Sequence, residues 1–396
     1  MFLSPNNACS EEIIIIRNKT IHCGNITRCF LSLDLNSISS LTEIEEAYAA
    51  LYTYMAENNI LPVYEKIFGE TGIEEKIVAL RFSVQEEFEV MLPPYTFIEG
   101  YTSPFKETMV STILVYGIVK SDGNRVKYIH DPLNNISGSF VYNGNKLQYY
   151  ILGTNVCYGG HIEPTIDKLF FNIENFLDKR NIVPLTIKRT WFYLDDINHT
   201  YTAFNKARKN FFSRNSICYS PKSNDLPAST CIEGRSAVNS LLNCVVYGLE
   251  SGNNATVQRI YNPLQNEPEG TEYLFKPTFS RAMLIENENY LEIQLSGTAS
   301  IDEKGNTVYQ NDPYNQIKKT ILNVKNILDQ FQMEFTDFCE ATLFFKKKEF
   351  IETFCSVLED LHIPEFSPAY VVTNVCRDDL LFELDGVAIK PKKLYT

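Results

Sequence analysis

The chain has 396 residues and a formal net charge of −13 at pH 7. Hydrophobic residues make up 44% of it and charged residues 21%, which is typical of a globular protein and excludes disordered, collagen-like and low-complexity classes. The acidic balance argues against nucleic acid and anionic membranes as partners, so an anionic substrate needs a local cluster of Arg or Lys. No apolar run approaches the roughly 20 residues that cross a bilayer, and the first residues lack a secretory pattern. We therefore expect a cytoplasmic protein without membrane contact.

Cysteine and histidine usage gives no sign of a metal site. Ten cysteines and five histidines are scattered along the chain, and no two cysteines have CxxC spacing. The sequence also lacks a Walker loop, a GxGxxG motif and an HExxH motif. We expect reduced thiols, no metal and no cofactor.

Residues 1–140 are the first predicted region, which is α+β. Apolar residues recur at helical spacing between 44 and 55, and the run at 111–119 is typical of a buried strand. Two interpretations stay open for this region. It is either a degenerate copy of the unit that follows or an amphipathic helix unrelated to that unit.

Two later stretches, 141–250 and 279–396, resemble each other. Each contains a Gly-Thr strand signal, an amphipathic helix, an aromatic strand, a Pro-Ala turn and an apolar closing strand, in that order. The order predicts an α+β fold of tandem repeats, with helices on one face of a mixed sheet. The stretch 251–278, rich in Asn, Gly, Pro and Glu, is predicted to be a connecting excursion.

The last repeat resembles the YjgF/RidA family. The matching residues are Ser296-Gly297, Gln316, Asn323, Asn326-Ile327-Leu328, Pro368-Ala369, Val375 and Phe382-Glu383-Leu384-Asp385. Members of that family are trimers of small α+β subunits with ligand sites between neighbours, so several copies in one chain imply a monomeric pseudo-trimer. The family's deaminases have Arg directly after Pro-Ala, whereas this chain has Ser229 and Tyr370. That difference argues against deaminase activity.

A second resemblance, from about residue 140 to the end, is to the chorismatases, RidA-like enzymes of secondary metabolism that cleave chorismate. The shared features are Thr190-Trp191 with Tyr193, Tyr201-x-x-Phe204-Asn205-x-x-Arg208, Pro227-Ala228-Ser229-Thr230, Gly234-Arg235, Phe279-Ser280-Arg281-Ala282, Ser296-Gly297-Thr298-Ala299-Ser300-Ile301, and Cys376 seven residues before Glu383. Many members have glycine where this chain has Cys231. The resemblance implies chorismate, a small dicarboxylate, as substrate, and pyruvate plus a C7 ring acid as products.

Glu383 is the predicted general acid. Pyruvate release from chorismate requires a proton on the terminal methylene carbon of the enol ether, and the oxocarbenium ion that forms needs a dry site with anion holders. Leu381, Glu383 and Asp385 share one face of an apolar strand, where burial raises the pKa of a carboxyl group. The alternative is a solvated glutamate on the polar face of an edge strand.

Arg208, Arg235 and Arg281 are the candidates for holding the two substrate carboxylates. A guanidinium can bind a carboxylate through two parallel hydrogen bonds, which orients it as well as attracting it. We expect two of the three to contact the substrate. The alternative for Arg208 is a solvated position on a basic helix.

Three further residues are candidates for the same site. The spacing of Cys376 to Glu383 matches the chorismatases that form 3-hydroxybenzoate, in which the thiol is thought to assist an internal rearrangement. The alternative for Cys376 is inert core packing. Tyr201 is predicted to hydrogen-bond the ligand, and Cys231 is predicted to pack or to line the pocket.

The preferred function is a chorismatase that forms 3-hydroxybenzoate and pyruvate. One alternative is a hydrolytic chorismatase that gives a dihydroxycyclohexadiene carboxylate. The other is a non-catalytic RidA-like protein that binds a small anionic metabolite or a biosynthetic partner.

Overall fold

The computed structural model describes residues 15–35, 40–88, 91–100, 110–217, 226–236, 239–250, 255–267 and 278–392. Within these ranges the chain forms three mixed β-sheets, and two helices pack on one face of each sheet. No helix in the described ranges is long and apolar enough to span a membrane.

The first sheet is built from the N-terminal region in the order β1-β2-β5-β3-β4. Its elements are β1 (Ile15–Cys23), β2 (Ile26–Asp34), α1 (Leu41–Glu57), β3 (Ile60–Gly69), α2 (Glu74–Phe88), β4 (Tyr95–Glu99) and β5 (Val110–Val119). Helix α1 begins with a capping box between Ser40 and Glu43, and its apolar stripe is buried against the sheet.

The second sheet has the order β10-β9-β11-β8-β7-β6. Its elements are β6 (Asn124–Asp131), β7 (Ile136–Asn143), β8 (Lys146–Cys157), α3 (Ile162–Asp178), β9 (Ile187–Leu194), α4 (Ile197–Arg214), β10 (Ala228–Glu233) and β11 (Ser240–Leu249).

The third sheet has the order β12-β13-β14-β17-β15-β16. Its elements are β12 (Thr256–Ile260), β13 (Ala282–Glu286), β14 (Tyr290–Ala299), α5 (Pro313–Asp329), β15 (Phe338–Phe345), α6 (Phe350–Asp360), β16 (Ala369–Val372) and β17 (Phe382–Pro391).

The three sheets have the same internal connectivity. In each, the closing strand (β5, β11 or β17) runs antiparallel to two neighbours: the second hairpin strand and the strand after the first helix. The short strand after the second helix pairs in parallel at the edge. The predicted α+β fold of tandem repeats is therefore confirmed. The five strands of the N-terminal sheet follow this connectivity, and each of the other two sheets adds one edge strand, while the N-terminal region as a copy of the unit stays a prediction.

Strand pairing differs from the predicted boundaries in two places. Strand β6 and the first half of β7 fall within 1–140, yet both strands pair in the second sheet. Strand β12 falls within 251–278, which we expected to be a connection, yet it is an edge strand of the third sheet. Residues 251–254 and 268–277 lie outside the described residues. A division of the chain into domains at 140, 250 and 278 stays a prediction.

The faces of the sheets opposite the helices meet in one central core, to which all three repeats contribute. Three buried ion pairs cross between repeats in this core: Arg28 with Glu292 at 2.6 Å, Lys66 with Glu340 at 2.7 Å and Arg189 with Asp385 at 2.9 Å. Removing one partner of such a pair leaves a buried charge uncompensated, so the pairs disfavour other arrangements of the repeats. The chain thus has a pseudo-trimeric arrangement, and its monomeric state stays a prediction.

Candidate functional site

A pocket lies where the second repeat meets the third. Strand β10 approaches the segment before β13 through a bridge between Ala228 and Ser280, and it approaches the segment before β17 through a bridge between Ile232 and Val375. The side chains and backbone that line the pocket belong to Tyr201, Ser229, Cys231, Phe279, Arg281, Gly297, Ala299, Ile301, Cys376, Arg377, Leu380 and Glu383. We call this the Glu383 pocket.

Glu383 is buried in the middle of a sheet. Its strand, β17, lies between β14 and β15, and the residue is 4% exposed. Phe382 and Leu384 point into the core beneath the helices, so Glu383 faces the opposite side, as the alternation predicted. Burial, together with the negative charge of Asp385, raises the pKa of Glu383 to about 8. The solvated edge-strand alternative is excluded, and the carboxyl group holds its proton at neutral pH.

Gly297 makes room for the Glu383 carboxyl group. A bulge in β14 between Leu295 and Thr298 brings Gly297 directly over that carboxyl group. A Cβ at this position would overlap Oε1 of Glu383 and would also lie 3.3 Å from Cγ2 of Thr230. The glycine of the Ser296-Gly297 motif is therefore explained by the site, because a larger residue would overlap the Glu383 carboxyl group.

Asp385 is held next to Glu383 by two donors from the second repeat. Nη2 of Arg189 donates to Oδ2 of Asp385 at 2.9 Å and to Oγ1 of Thr230 at 2.6 Å, and Oγ1 of Thr230 donates to the same Oδ2 at 2.6 Å. Burial lowers the pKa of Arg189 to about 10. Arg189 was not among the residues predicted from the sequence. The sequence feature that could have indicated it is a charged residue within an apolar strand, because a charged side chain is rarely buried without a partner.

Two arginines line the Glu383 pocket directly. Arg281 donates through Nε and Nη2 to the Asn266 carbonyl oxygen at 3.0 and 2.8 Å, and burial lowers its pKa to about 10. Arg377 donates through Nη1 to the Gly305 carbonyl oxygen at 2.9 Å. Arg377 was not predicted, although it directly follows Cys376. Both guanidinium groups are thus positioned by backbone carbonyl oxygens.

The other two predicted arginines lie outside this lining. Arg208 is fully buried behind the pocket wall, where it donates to Oγ of Ser229 at 3.1 Å and to Oδ1 of Asn205 at 2.6 Å. It stands behind Ser229, and the solvated alternative is excluded. The side chain of Arg235 is 55% exposed and pairs with Asp195 at 2.6 Å, so the structure does not bring it to the pocket.

Tyr201, Cys231 and Cys376 all line the Glu383 pocket. Burial raises the pKa of the Tyr201 hydroxyl group. Burial and the nearby Glu383 raise the pKa of Cys376 to about 12, and burial also raises the pKa of Cys231. Both sulfurs are therefore neutral thiols at physiological pH.

The described part of the chain contains no group of three His, Cys, Asp or Glu side chains arranged to hold a metal ion. The pocket instead combines one neutral carboxylic acid, two guanidinium groups, two thiols and one phenol. Such a set can bind an anion and deliver a proton to it.

Comparison with solved structures gives a long match to the crystal structure of a chorismatase. The TM-score is 0.62 and the sequence identity 17%, over 83% of this chain and 92% of that chain. Shorter matches include yeast Mmf1 (18% identity, 34% of this chain, 99% of that chain, TM-score 0.26) and the YjgF gene product of E. coli (18%, 32%, 99%, 0.24). No protein-family model and no curated protein matches the chain. At 17% identity the likeness concerns the fold, and it agrees with the tandem-repeat architecture.

Proposed function

We propose that this protein is a chorismatase that protonates the enol ether of chorismate and releases pyruvate. The observation on which the proposal rests is a buried carboxylic acid, protonated at neutral pH, in a pocket that two arginines also line. The likeness of the fold to a solved chorismatase supports the choice of substrate.

Glu383 is the proton donor in this proposal. Its proton goes to the terminal methylene carbon of the enol ether, which becomes a methyl group, and the adjacent carbon becomes an oxocarbenium centre. A pKa of about 8 suits this step, because the group is protonated at neutral pH but is a much stronger acid than an ordinary alcohol.

After transfer, the carboxylate faces the cation and stabilises it. The ring C–O bond then breaks with its electron pair on the ether oxygen, which leaves as the keto oxygen of pyruvate. In the branch to 3-hydroxybenzoate, the neighbouring ring hydroxyl oxygen moves to the vacated ring carbon, and a ring proton passes to the Glu383 carboxylate, which restores the acid and makes the ring aromatic.

Arg281 and Arg377 are the proposed anion holders. Both line the Glu383 pocket, and each has a backbone carbonyl partner that orients its guanidinium group. Arg208 contributes positive charge through Ser229, whose hydroxyl accepts from Arg208 and lines the pocket. Two carboxylates on the substrate match the two guanidinium groups of the lining.

For the ring product we prefer 3-hydroxybenzoate to the hydrolytic product. The hydrolytic branch consumes one water molecule, whereas rearrangement to 3-hydroxybenzoate and pyruvate consumes none. Beside its charged and hydroxyl groups, the pocket lining includes Ala299, Ile301, Leu380 and the thiol of Cys376, which bind water weakly or not at all. This lining favours the branch in which no water takes part.

The test is incubation of the purified protein with chorismate. Pyruvate is measured with a coupled dehydrogenase assay, and the ring product is identified by chromatography against authentic 3-hydroxybenzoate and dihydroxycyclohexadiene carboxylate. Release of both pyruvate and 3-hydroxybenzoate supports the proposal. The dihydroxy acid would favour the hydrolytic branch. No pyruvate, combined with calorimetric binding of chorismate, would indicate the non-catalytic binder.

A further inference from the structure

The hydroxyl group of Ser229 lies between two hydrogen-bond donors. Ser229 is the second residue of β10, is 3% exposed and lines the Glu383 pocket. Its Oγ accepts from Nη1 of Arg208 at 3.1 Å and from Oγ1 of Thr190 at 2.9 Å. A serine hydroxyl group has two lone pairs and one proton, so both lone pairs are occupied. No protein group in the described part of the chain accepts the proton, and Ser229 can therefore act on a pocket ligand only as a donor.

The positive charge behind Ser229 strengthens this donor. Arg208 is fully buried, it also donates to Oδ1 of Asn205 at 2.6 Å, and it forms no ion pair with a carboxylate of the described residues. A hydrogen bond from a cation to a hydroxyl oxygen polarises the O–H bond of that hydroxyl group. A buried cation without a carboxylate partner also favours an anion nearby. The Ser229 proton is thus directed to an anionic acceptor.

Arg281 is the neighbour of Ser229 at this corner of the pocket. The parallel bridge between β10 and the segment before β13 immediately precedes both residues, which places them side by side. The Phe279 ring packs against two guanidinium groups, because its centroid lies 5.4 Å from the guanidinium carbon of Arg208 and 5.5 Å from that of Arg281. Two buried cations and one hydroxyl donor therefore meet at the same part of the lining.

Arg281 presents one defined edge of its guanidinium group. The Nε proton and both Nη2 protons are taken by Asn266, through its carbonyl oxygen at 3.0 and 2.8 Å and its Oδ1 at 2.6 Å. Of the five N–H groups, these bonds leave the two on Nη1. Arg281 forms no ion pair with a described carboxylate, since the nearby Glu267 pairs with Arg259 at 3.5 Å. Nη1 is thus the edge that Arg281 can offer to a ligand.

We propose that Ser229 and Arg281 form a clamp for one carboxylate of the substrate, in which the Ser229 hydroxyl group donates to one carboxylate oxygen and Nη1 of Arg281 donates to the other. The inference rests on the proposed function, which supplies a dicarboxylate substrate. Arg377, which also lines the pocket, is the candidate for the second carboxylate. Because neither clamp residue can accept a hydrogen bond from a ligand, an ammonium group in place of that carboxylate meets donors only.

The test uses the full-length protein and 3-(carboxymethoxy)benzoate, an unreactive dicarboxylate with one carboxylate on a ring and one on an ether side chain. Ser229→Ala removes the donated proton, so calorimetric affinity should fall about 10- to 100-fold, the range for a hydrogen bond to a charged group. Ser229→Thr keeps the hydroxyl group and should restore most of the affinity. Ser139→Ala, at a buried serine of β7 outside the pocket, is the matched control and should bind as wild type. Unchanged affinity in Ser229→Ala would overturn the clamp.

Double variants separate a shared carboxylate from a general structural effect. If Ser229 and Arg281 hold the same carboxylate, the affinity losses of Ser229→Ala and Arg281→Lys should add up to less than their sum in the double variant. The losses of Ser229→Ala and Arg377→Lys should be additive, because those residues hold different carboxylates. Additive losses in the pair Ser229→Ala and Arg281→Lys would overturn the proposal.

Chorismate turnover is assayed separately, so that the two proposals can fail independently. If wild type releases no pyruvate but binds the dicarboxylate through Ser229, the clamp stands and the chorismatase proposal fails. If wild type releases pyruvate and Ser229→Ala has an unchanged KM for chorismate, the clamp is wrong and the chorismatase proposal stands.

Discussion

At the scale of single residues, two carboxyl groups on the same face of β17 have different surroundings. Asp385 accepts hydrogen bonds from Arg189 and Thr230, whereas Glu383 faces the pocket and has its pKa raised to about 8 by burial and by Asp385. Environments that separate two neighbouring carboxyl groups in this way distinguish a proton donor from a fixed anion. In our proposal Asp385 keeps Glu383 protonated and does not touch substrate.

The Asp385→Asn variant tests that influence. Removing the negative charge leaves Arg189, Arg281 and Arg377 as the main charges near Glu383, and all three lower its pKa. The pH above which pyruvate release declines should therefore move from near 8 to a lower value. The measurement is a pH–rate profile, with Asp329→Asn on the surface as control. An unchanged profile in an otherwise folded Asp385→Asn protein would mean that Asp385 does not tune the acid.

Cys376 is predicted to direct the fate of the cation. Its thiol is neutral and lines the Glu383 pocket together with Tyr201. In Cys376→Ala, pyruvate release should persist in part while the ring product shifts away from 3-hydroxybenzoate, because the alanine leaves space for water. Chromatography of the products measures the ratio, and Cys244→Ala, in the core beneath the helices, is the matched control. The same product ratio in wild type and Cys376→Ala would assign Cys376 to packing.

At the scale of elements, the helices and the closing strands were readable from the sequence, because their apolar periodicity reflects burial on one face. The sequence did not reveal β6 and β12, which are half-exposed edge strands with mostly polar residues. Side-chain positions that depend on contacts between distant parts of the chain could not be predicted from the sequence either. Arg377 is positioned by a hydrogen bond to the carbonyl oxygen of Gly305, 72 residues away in the sequence. Arg235 forms an ion pair with Asp195 and does not line the pocket.

Gly297 shows how an element can be shaped for one side chain. Gly297→Ala places a methyl group where the Glu383 carboxyl group lies, so either that carboxyl group or the β14 bulge must move. We expect at least a tenfold loss of pyruvate release, since small displacements of a catalytic group are costly. The stability cost should be about 1–3 kcal/mol, as for other overpacked sites.

Denaturant unfolding and the pyruvate assay measure both effects of Gly297→Ala. Gly72→Ala is the control, because a Cβ at Gly72 meets no atom within 4 Å. Full activity of Gly297→Ala would show that the carboxyl group has room to spare, which this packing does not allow.

At the scale of the whole molecule, the raised pKa of Glu383 lowers the free energy of unfolding at neutral and higher pH. The ordinary pKa of 4.5 rises to about 8 in the folded protein, so between these values the folded state keeps a proton that the unfolded chain has released. The free energy of unfolding therefore falls as pH rises through this window. Glu383→Gln removes this titration and should stabilise the protein at pH 8, relative to wild type, by on the order of 4 kcal/mol.

Urea unfolding of wild type and Glu383→Gln at pH 5 and pH 8 measures that effect. The advantage of Glu383→Gln should be small at pH 5 and large at pH 8. An advantage that is equal at the two pH values would mean that Glu383 does not retain its proton in the folded state.

The most direct test of the central claim is the turnover of Glu383→Gln with chorismate. Glutamine preserves shape and hydrogen bonding but cannot deliver a proton to carbon, so pyruvate release at saturating chorismate should fall by at least about 10²-fold. Calorimetric binding of an unreactive dicarboxylate analogue should persist, because the arginines are unchanged and Gln adds no negative charge. The exposed control Glu352→Gln should behave as wild type. Near wild-type turnover in Glu383→Gln would contradict the account, because the proton would then come from another group.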